Sequence, residues 1–345
     1  MNSIFARLLR LNKDIDAIKY FLRLGEWART HNLSLMDDCR SSDERNLHSK
    51  YFDYSATISR LYFIYESFIY FCVREWVTYS LASGGGVSEF SEDNFFNDYS
   101  DCCGQALLRM TEQRFSHISK KDIVESLYGV LKKDRSAALI IEALVVDFPN
   151  LRAKTLTSVC QRVQLFNFNK WLANCSDLGE TCSDYIGSTS IENALEDFVE
   201  RRNAVSHGRF QDDDIYGVNL LLRLCEFVEM LCRTFAEFVS YNSIKRGNHS
   251  VTLGVITQKY KNSSYLIEAG AEMLDVGREV YLCRETISRC YTSTVADIQL
   301  EGEPMLAITT NIGDLVGVKL STPATKGCEV VRVLEVARTE ASGLG

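Results

Sequence analysis

Apolar residues recur at spacings of three and four through the first stretch of the chain. Ile4, Leu8, Leu11, Ile15, Ile18, Phe21 and Leu22 predict an amphipathic helix over Ser3–Ala28. A second long helix is predicted within Asp43–Leu81. Its section Ile58–Val77 is apolar nearly all round and rich in aromatics, which places it at the centre of a bundle. Residues 82–103 break the pattern: Gly84-Gly85-Gly86 leads into an acidic, aromatic stretch over 89–101, which predicts a loop. Its Phe95, Phe96 and Tyr99 have two readings, stacking on nucleic-acid bases or, as is commoner for loop aromatics, pinning the loop to the core. The acidic segment 86–101 is also a candidate cover for a cleft, which no motif in the sequence establishes. Helices follow at Gln105–Arg114, Lys121–Lys132, Ser136–Val146 and, beyond Pro149, Asn150–Val163. Ser190–Ser206 and Asp213–Tyr241 complete the helical part. The apolar positions of Asp213–Tyr241 cover more than one stripe, so one side can face the bundle and the other a second subunit.

After the turn-rich linker Lys245–Ser250 the period changes from helical to alternating. Short runs at Val251–Lys259, Tyr265–Glu268, Glu279–Arg284, Ser293–Leu300, Met305–Thr309, Leu315–Leu320 and Glu329–Val336 read as strands. Gly277, Gly302, Gly313 and Gly327 punctuate them, which indicates a small β-barrel. The fold class is therefore mainly α, a helical bundle over 1–245 followed by an all-β barrel over 251–340.

With 345 residues, 46% of them apolar and 24% charged, the chain can bury two cores. A net charge of −8 argues against a protein that coats nucleic acid nonspecifically, but leaves room for a local basic patch. The 12 cysteines include no Cys-x-x-Cys and accompany only 5 histidines, a poor basis for a zinc site. No secretory leader and no membrane-spanning run is visible, so a cytoplasmic protein with reduced core cysteines and no membrane association is expected.

One stretch stands out chemically, Glu200-Arg201-Arg202-Asn203-Ala204-Val205-Ser206-His207-Gly208. Ser190 is a plausible N-cap for the helix that carries it, and Ile191, Leu195, Phe198 and Val205 mark its apolar stripe. Gly208 is a stop signal just past His207. Arg202 follows Leu195 by seven residues and so projects within about 20° of it. A guanidinium inside an apolar stripe must be paired or hydrogen-bonded. Asn203 and His207, four apart, share the neighbouring face, so Arg202, Asn203 and His207 form a polar notch. The plain alternative is a buried arginine paired with a local glutamate, plus a histidine interacting with the helix end.

The run Asp197–Gly208 resembles the signature of HEPN domains, in which an Arg, commonly followed by Asn, precedes a His by four to six residues. Asn150–Val163 and Tyr216–Tyr241 resemble the upstream and final helices of the larger HEPN families; the likeness spans 1–245 and is sharp over 150–241. It implies an all-α bundle that dimerises and brings two motifs together across a two-fold axis. Active members are metal-independent endoribonucleases; others are inactive binding or scaffold modules. Carried over, Arg202 and His207 are the catalytic pair with Asn203 as polar companion, while Arg201 and Arg209 are candidates for RNA contact. No cofactor or metal is called for. The implied partners are RNA (tRNA or other cellular RNA), a second copy of the chain and a regulatory or activating protein. The implied setting is that of bacterial toxins and anti-phage effectors. The alternative is a non-catalytic dimeric RNA-binding or adaptor protein of a defence system; a subunit supporting nucleotide transfer ranks below it. The patterns Asp275–Val280, Val295–Ile298 and Asn311–Val318 resemble the barrel of elongation-factor domain two, which implies a targeting module that contacts RNA or protein.

Overall fold

The structure, a computed structural model, describes residues 2–31, 42–82, 93–132, 134, 137–145, 150–209, 215–246 and 250–334. The chain divides into two compact units, one of residues 1–77 and 90–236, the other of 78–89 and 237–345.

The first unit is helical. Its elements run α1 (Asn2–Thr30), α2 (Ser42–Ala82), α3 (Asp93–Leu108), α4 (Lys120–Leu131), α5 (Ile141–Leu144), α6 (Ala153–Arg162), α7 (Phe168–Ala173), α8 (Ser176–Ile186), α9 (Ile191–Ser206) and α10 (Val218–Arg246). The last turns of α2 and α10 belong to the second unit. As its pattern predicts, α2 is buried on most sides: Tyr54, Ile58, Leu61, Tyr62, Tyr65, Phe68, Ile69, Cys72, Val73 and Trp76 are all inside. The polar tips of the large aromatics meet backbone groups. Trp76 Nε1 donates to the Val163 carbonyl at 2.8 Å, and Tyr65 Oη to the Leu151 carbonyl at 3.0 Å. Val163 closes α6, so Trp76 satisfies a carbonyl that the helix itself cannot. All eleven described cysteines are buried thiols, in keeping with their reading as small core residues.

Several expectations change. Residues 93–103 are not loop but part of α3, and Phe95, Phe96 and Tyr99 are buried. Tyr99 Oη shares a 2.6 Å hydrogen bond with Ser126 Oγ and accepts one from the Ile140 N–H at 2.8 Å. These aromatics therefore pin the core and do not stack on bases, and 93–101 is no lid. With Cys102, Cys103 and Ala106 they form a helical stripe that the intervening acidic residues obscured. Gly84-Gly85-Gly86 lies outside the described residues. The helix expected over Ser136–Val146 shrinks to α5; Ser126 Oγ hydrogen-bonds the Ala138 carbonyl and Tyr99 takes the Ile140 N–H, so partners distant in sequence replace a helical ladder. The short helices α7 and α8 are not predicted by the apolar pattern. Phe21 is 67% exposed and not on the core face. Both apolar stripes of α10, including Leu224, Phe227, Val228 and Leu231, are buried within one chain, so its two-sided pattern demands no second subunit.

The second unit holds the barrel. Its strands are β1 (Ser250–Lys259), β2 (Ser264–Ala269), β3 (Met273–Asp275), β4 (Glu279–Arg284), β5 (Arg289–Leu300), β6 (Glu303–Met305), β7 (Ala307–Thr309), β8 (Leu315–Leu320) and β9 (Glu329–Val333). The order β4-β9-β1-β2-β8-β5 closes through antiparallel pairing of β5 with β4, a six-stranded barrel. Strand β6 pairs with the end of β5, and β3 with β7. The run expected at Met305–Thr309 is thus divided between two pairings. Leu253, Ile256, Ile267, Val280, Leu282, Val295, Ile298, Val316, Val318 and Val330 fill the interior. Gly277, Gly302, Gly313 and Gly327 all have φ between 85° and 90°, the left-handed turn backbone that suits glycine. Gly254 serves differently. It sits at the β1 bulge, where a Cβ would lie 2.5 Å from the Glu268 carbonyl oxygen of β2.

Candidate functional site

The site grows from α9. The Ser190 side chain accepts from the Asn193 N–H at 3.2 Å and caps the helix as its sequence predicts. Ala194, Leu195, Phe198 and Val199 form the buried face, and the Phe198 ring lies 5.9 Å from Tyr62 and 6.1 Å from Tyr65. At the far end His207 is the C-cap. Gly208 takes φ 61°, its N–H reaches the Val205 carbonyl at 3.2 Å, and the Arg209 N–H reaches Ala204 at 2.9 Å. These two bonds are a Schellman closure, which ends the helix and leaves His207 and Arg209 exposed at its tip.

Successive helix positions diverge by about 100°, so Arg201 and Arg202 enter different surroundings. Arg201 turns into a polar, aromatic cage. Its Nε donates to Asp197 Oδ2 at 3.0 Å, its Nη1 lies 3.5 Å from Tyr54 Oη, and its guanidinium stacks 3.5 Å from the Tyr216 ring centroid. Asp197 Oδ2 also accepts from Tyr216 Oη at 2.9 Å and from Tyr185 Oη. Burial works against the Arg201 charge, but the Tyr54 and Asp197 hydrogen bonds and the Asp197 carboxylate outweigh it and raise its pKa. Burial, reinforced by the Asp197 charge, pushes Tyr216 up to about 12 and Tyr185 higher still, so both hydroxyls stay protonated donors.

Arg202 lies over the Tyr62 ring of α2, Cζ at 4.5 Å from the centroid, and its Nη1 donates to Asn203 Oδ1 at 3.0 Å. No carboxylate comes within ion-pair distance of it among the described residues. The nearby Arg152, at the start of α6, is neutralised by Glu196 and by Glu200 at 3.8 Å, both on α9. Tyr62 itself accepts from the Leu151 N–H at 3.0 Å, and burial raises its pKa. Asn203 is half-buried, and its backbone carbonyl accepts from the His207 N–H at 3.0 Å. The His207 imidazole makes no side-chain hydrogen bond among the described residues.

Thus Arg202 and Asn203 are joined directly, His207 stands one turn beyond them, and Arg201 is drawn to a different face of the helix. The residues around the pair, Tyr62, Tyr54, Asp197 and Tyr216, were missed in the sequence. The Asp197–Arg201 spacing of four was a readable ion-pair signal. Tyr62 was hidden in the section Ile58–Val77 of α2, which is apolar nearly all round.

A helical domain with Arg-Asn and His at the end of one helix is the arrangement that the HEPN resemblance calls for; the β-barrel lies beyond it. Residues 26–241 match the RiboL-PSP-HEPN family, and the chain belongs to it. No curated protein and no solved structure matches the chain. Domains of the HEPN family are commonly nucleases or RNA-binding modules. Among the described residues no helix is long and apolar enough to cross a membrane.

Proposed function

We propose that the protein is an endoribonuclease that cleaves RNA by attack of its own 2′-hydroxyl, leaving a 2′,3′-cyclic phosphate and a 5′-hydroxyl. The observation that carries this reading is the contrast among three neighbouring arginines. Arg152 and Arg201 are paired with carboxylates, whereas Arg202 is held by an aromatic face and a neutral carboxamide. Its charge is left to meet a phosphate, and its planar fork suits phosphate oxygens. An imidazole is suited to moving protons near neutral pH. His207 stands exposed at the end of the same helix and takes the proton-transfer role. RNA supplies the nucleophile, so the scheme needs no metal. One histidine as base and another as acid requires two motifs, which a homodimer joined at the ends of its two α9 helices provides. Arg209, exposed at the helix tip, extends the basic surface for RNA, while the surroundings of Arg201 favour a supporting task. The family resemblance favours a toxin or anti-phage effector as the setting, with the barrel as a targeting module. The test is incubation of purified protein with total cellular RNA in EDTA and mapping of the ends; newly formed cyclic-phosphate ends support the reading, and intact RNA favours a non-catalytic RNA-binding module.

A further inference from the structure

We propose that Tyr62 is a positioning residue for the phosphate-binding arginine: its ring holds the Arg202 guanidinium by its face without neutralising it. The inference rests on the proposed use of Arg202 against RNA phosphate. Tyr62 is 2% exposed and fixed on every side. Its hydroxyl accepts from the Leu151 N–H at 3.0 Å, and its ring packs against Tyr65 at 6.1 Å and Phe198 at 5.9 Å. The ring that Arg202 rests on is therefore held by packing, which pre-orders a side chain that otherwise loses rotamer freedom on binding.

The choice of an aromatic face has a chemical consequence. A carboxylate, as Asp197 provides for Arg201, would hold the guanidinium by its N–H edge and compete with phosphate for the same donors. A ring quadrupole attracts the cation from above. With Cζ 4.5 Å from the ring centroid, that attraction takes up no N–H donor, so those not bonded to Asn203 are left for a ligand. Asn203 Oδ1, at 3.0 Å from Nη1, then limits rotation of the guanidinium. Tyr62 and Asn203 together define where the open edge of Arg202 points. Neither touches the reacting atoms.

The experiment replaces Tyr62 by Phe and then by Phe carrying one, two and three ring fluorines, which withdraw electron density from the ring face with little change of shape. Single-turnover cleavage of bulk tRNA is followed by the appearance of 5′-hydroxyl ends, alongside thermal unfolding. Tyr62→Phe is expected within about threefold of wild type. The rate should then fall stepwise, by about 10-fold in all, within the roughly 2- to 30-fold that cation–π strengths correspond to. The unfolding temperature should fall by only the few degrees that the weakened contact itself accounts for. A flat series, in a protein whose Arg202→Ala variant is inactive, would overturn the inference and leave Tyr62 as packing alone. If wild type cuts no RNA, the nuclease reading fails separately. The inference is then judged on tRNA affinity: fluorination and Arg202→Ala must weaken binding together, and unchanged affinity along the series overturns it. Should Tyr62→Phe fail to fold, 3,5-difluorotyrosine keeps the hydroxyl, and the comparison with wild type is made at a pH low enough to hold the more acidic fluorinated phenol protonated.

Discussion

At the residue scale, two adjacent arginines carry opposite assignments because a helix turns by about 100° per residue. Arg201 is spent on Asp197, Tyr54 and Tyr216, while Arg202 rests on Tyr62 and Asn203. Arg201→Ala should therefore act on stability. It leaves the half-buried Asp197 with two tyrosine donors but no cation, at a cost of about 1–3 kcal/mol in urea unfolding. Unchanged stability would show that the cage is solvated and the pairing incidental. His207→Ala should instead leave folding within about 0.5 kcal/mol of wild type, as surface changes commonly do, and Arg202→Ala should cost no more than the roughly 0.5–2 kcal/mol of its contact with Tyr62. Each should lower RNA cleavage by about 10²–10⁴-fold. The two differ in binding: removing Arg202 weakens RNA affinity as well as rate, whereas removing His207 changes the rate alone. Asn203→Ala, which frees Arg202 to rotate without removing its charge, should be milder than either. A full loss of activity in Asn203→Ala with normal folding would give Asn203 a direct chemical part.

At the element scale, the end of α9 depends on one backbone conformation. Gly208 has φ 61°, and a Cβ built there meets nothing within 4 Å, so a substitution strains the backbone alone. Gly208→Ala is expected to cost about 1 kcal/mol, read as a small fall in unfolding temperature, and to reduce cleavage because His207 is the cap residue itself. Equal stability in this variant would place the Schellman closure outside the native ensemble. This ending was legible beforehand: Ser190, the apolar stripe, His207 and Gly208 are local signals, and local signals dictate a helix with its caps. The long α1, α2 and α10 and most barrel strands were legible for the same reason, since their apolar period persists over many residues. What escaped was set by partners far along the chain. Residues 137–140 have helical composition, yet Tyr99 and Ser126 claim their backbone groups. Acidic neighbours masked the stripe of α3. Tyr62 gave no sign of its role because its section of α2 is apolar nearly all round, and only the fold shows which ring faces Arg202.

At the scale of the whole molecule, the proposed chemistry needs two copies, because a single chain contributes one His207. Light scattering at micromolar concentration should give twice the chain mass of 39.1 kDa, and a monomer that nonetheless cuts RNA would exclude the composite site. We also propose that residues 251–340 form a domain whose stability draws on the end of α10. Glu237, 3% exposed, accepts from the Cys290 N–H at 3.0 Å and pairs with Arg289 at 3.4 Å. Glu237→Ala should destabilise this unit by about 1–3 kcal/mol by leaving a buried donor unmet, and a fragment starting at 237 should unfold at a higher temperature than one starting at 251. The central claim is tested most directly by end mapping. Wild type and His207→Ala, both shown to be folded, are incubated with total cellular RNA in EDTA. The wild type should produce 2′,3′-cyclic phosphate and 5′-hydroxyl ends, and His207→Ala should leave the RNA at background. Wild-type cleavage by His207→Ala, or cleavage that EDTA abolishes, would contradict the account.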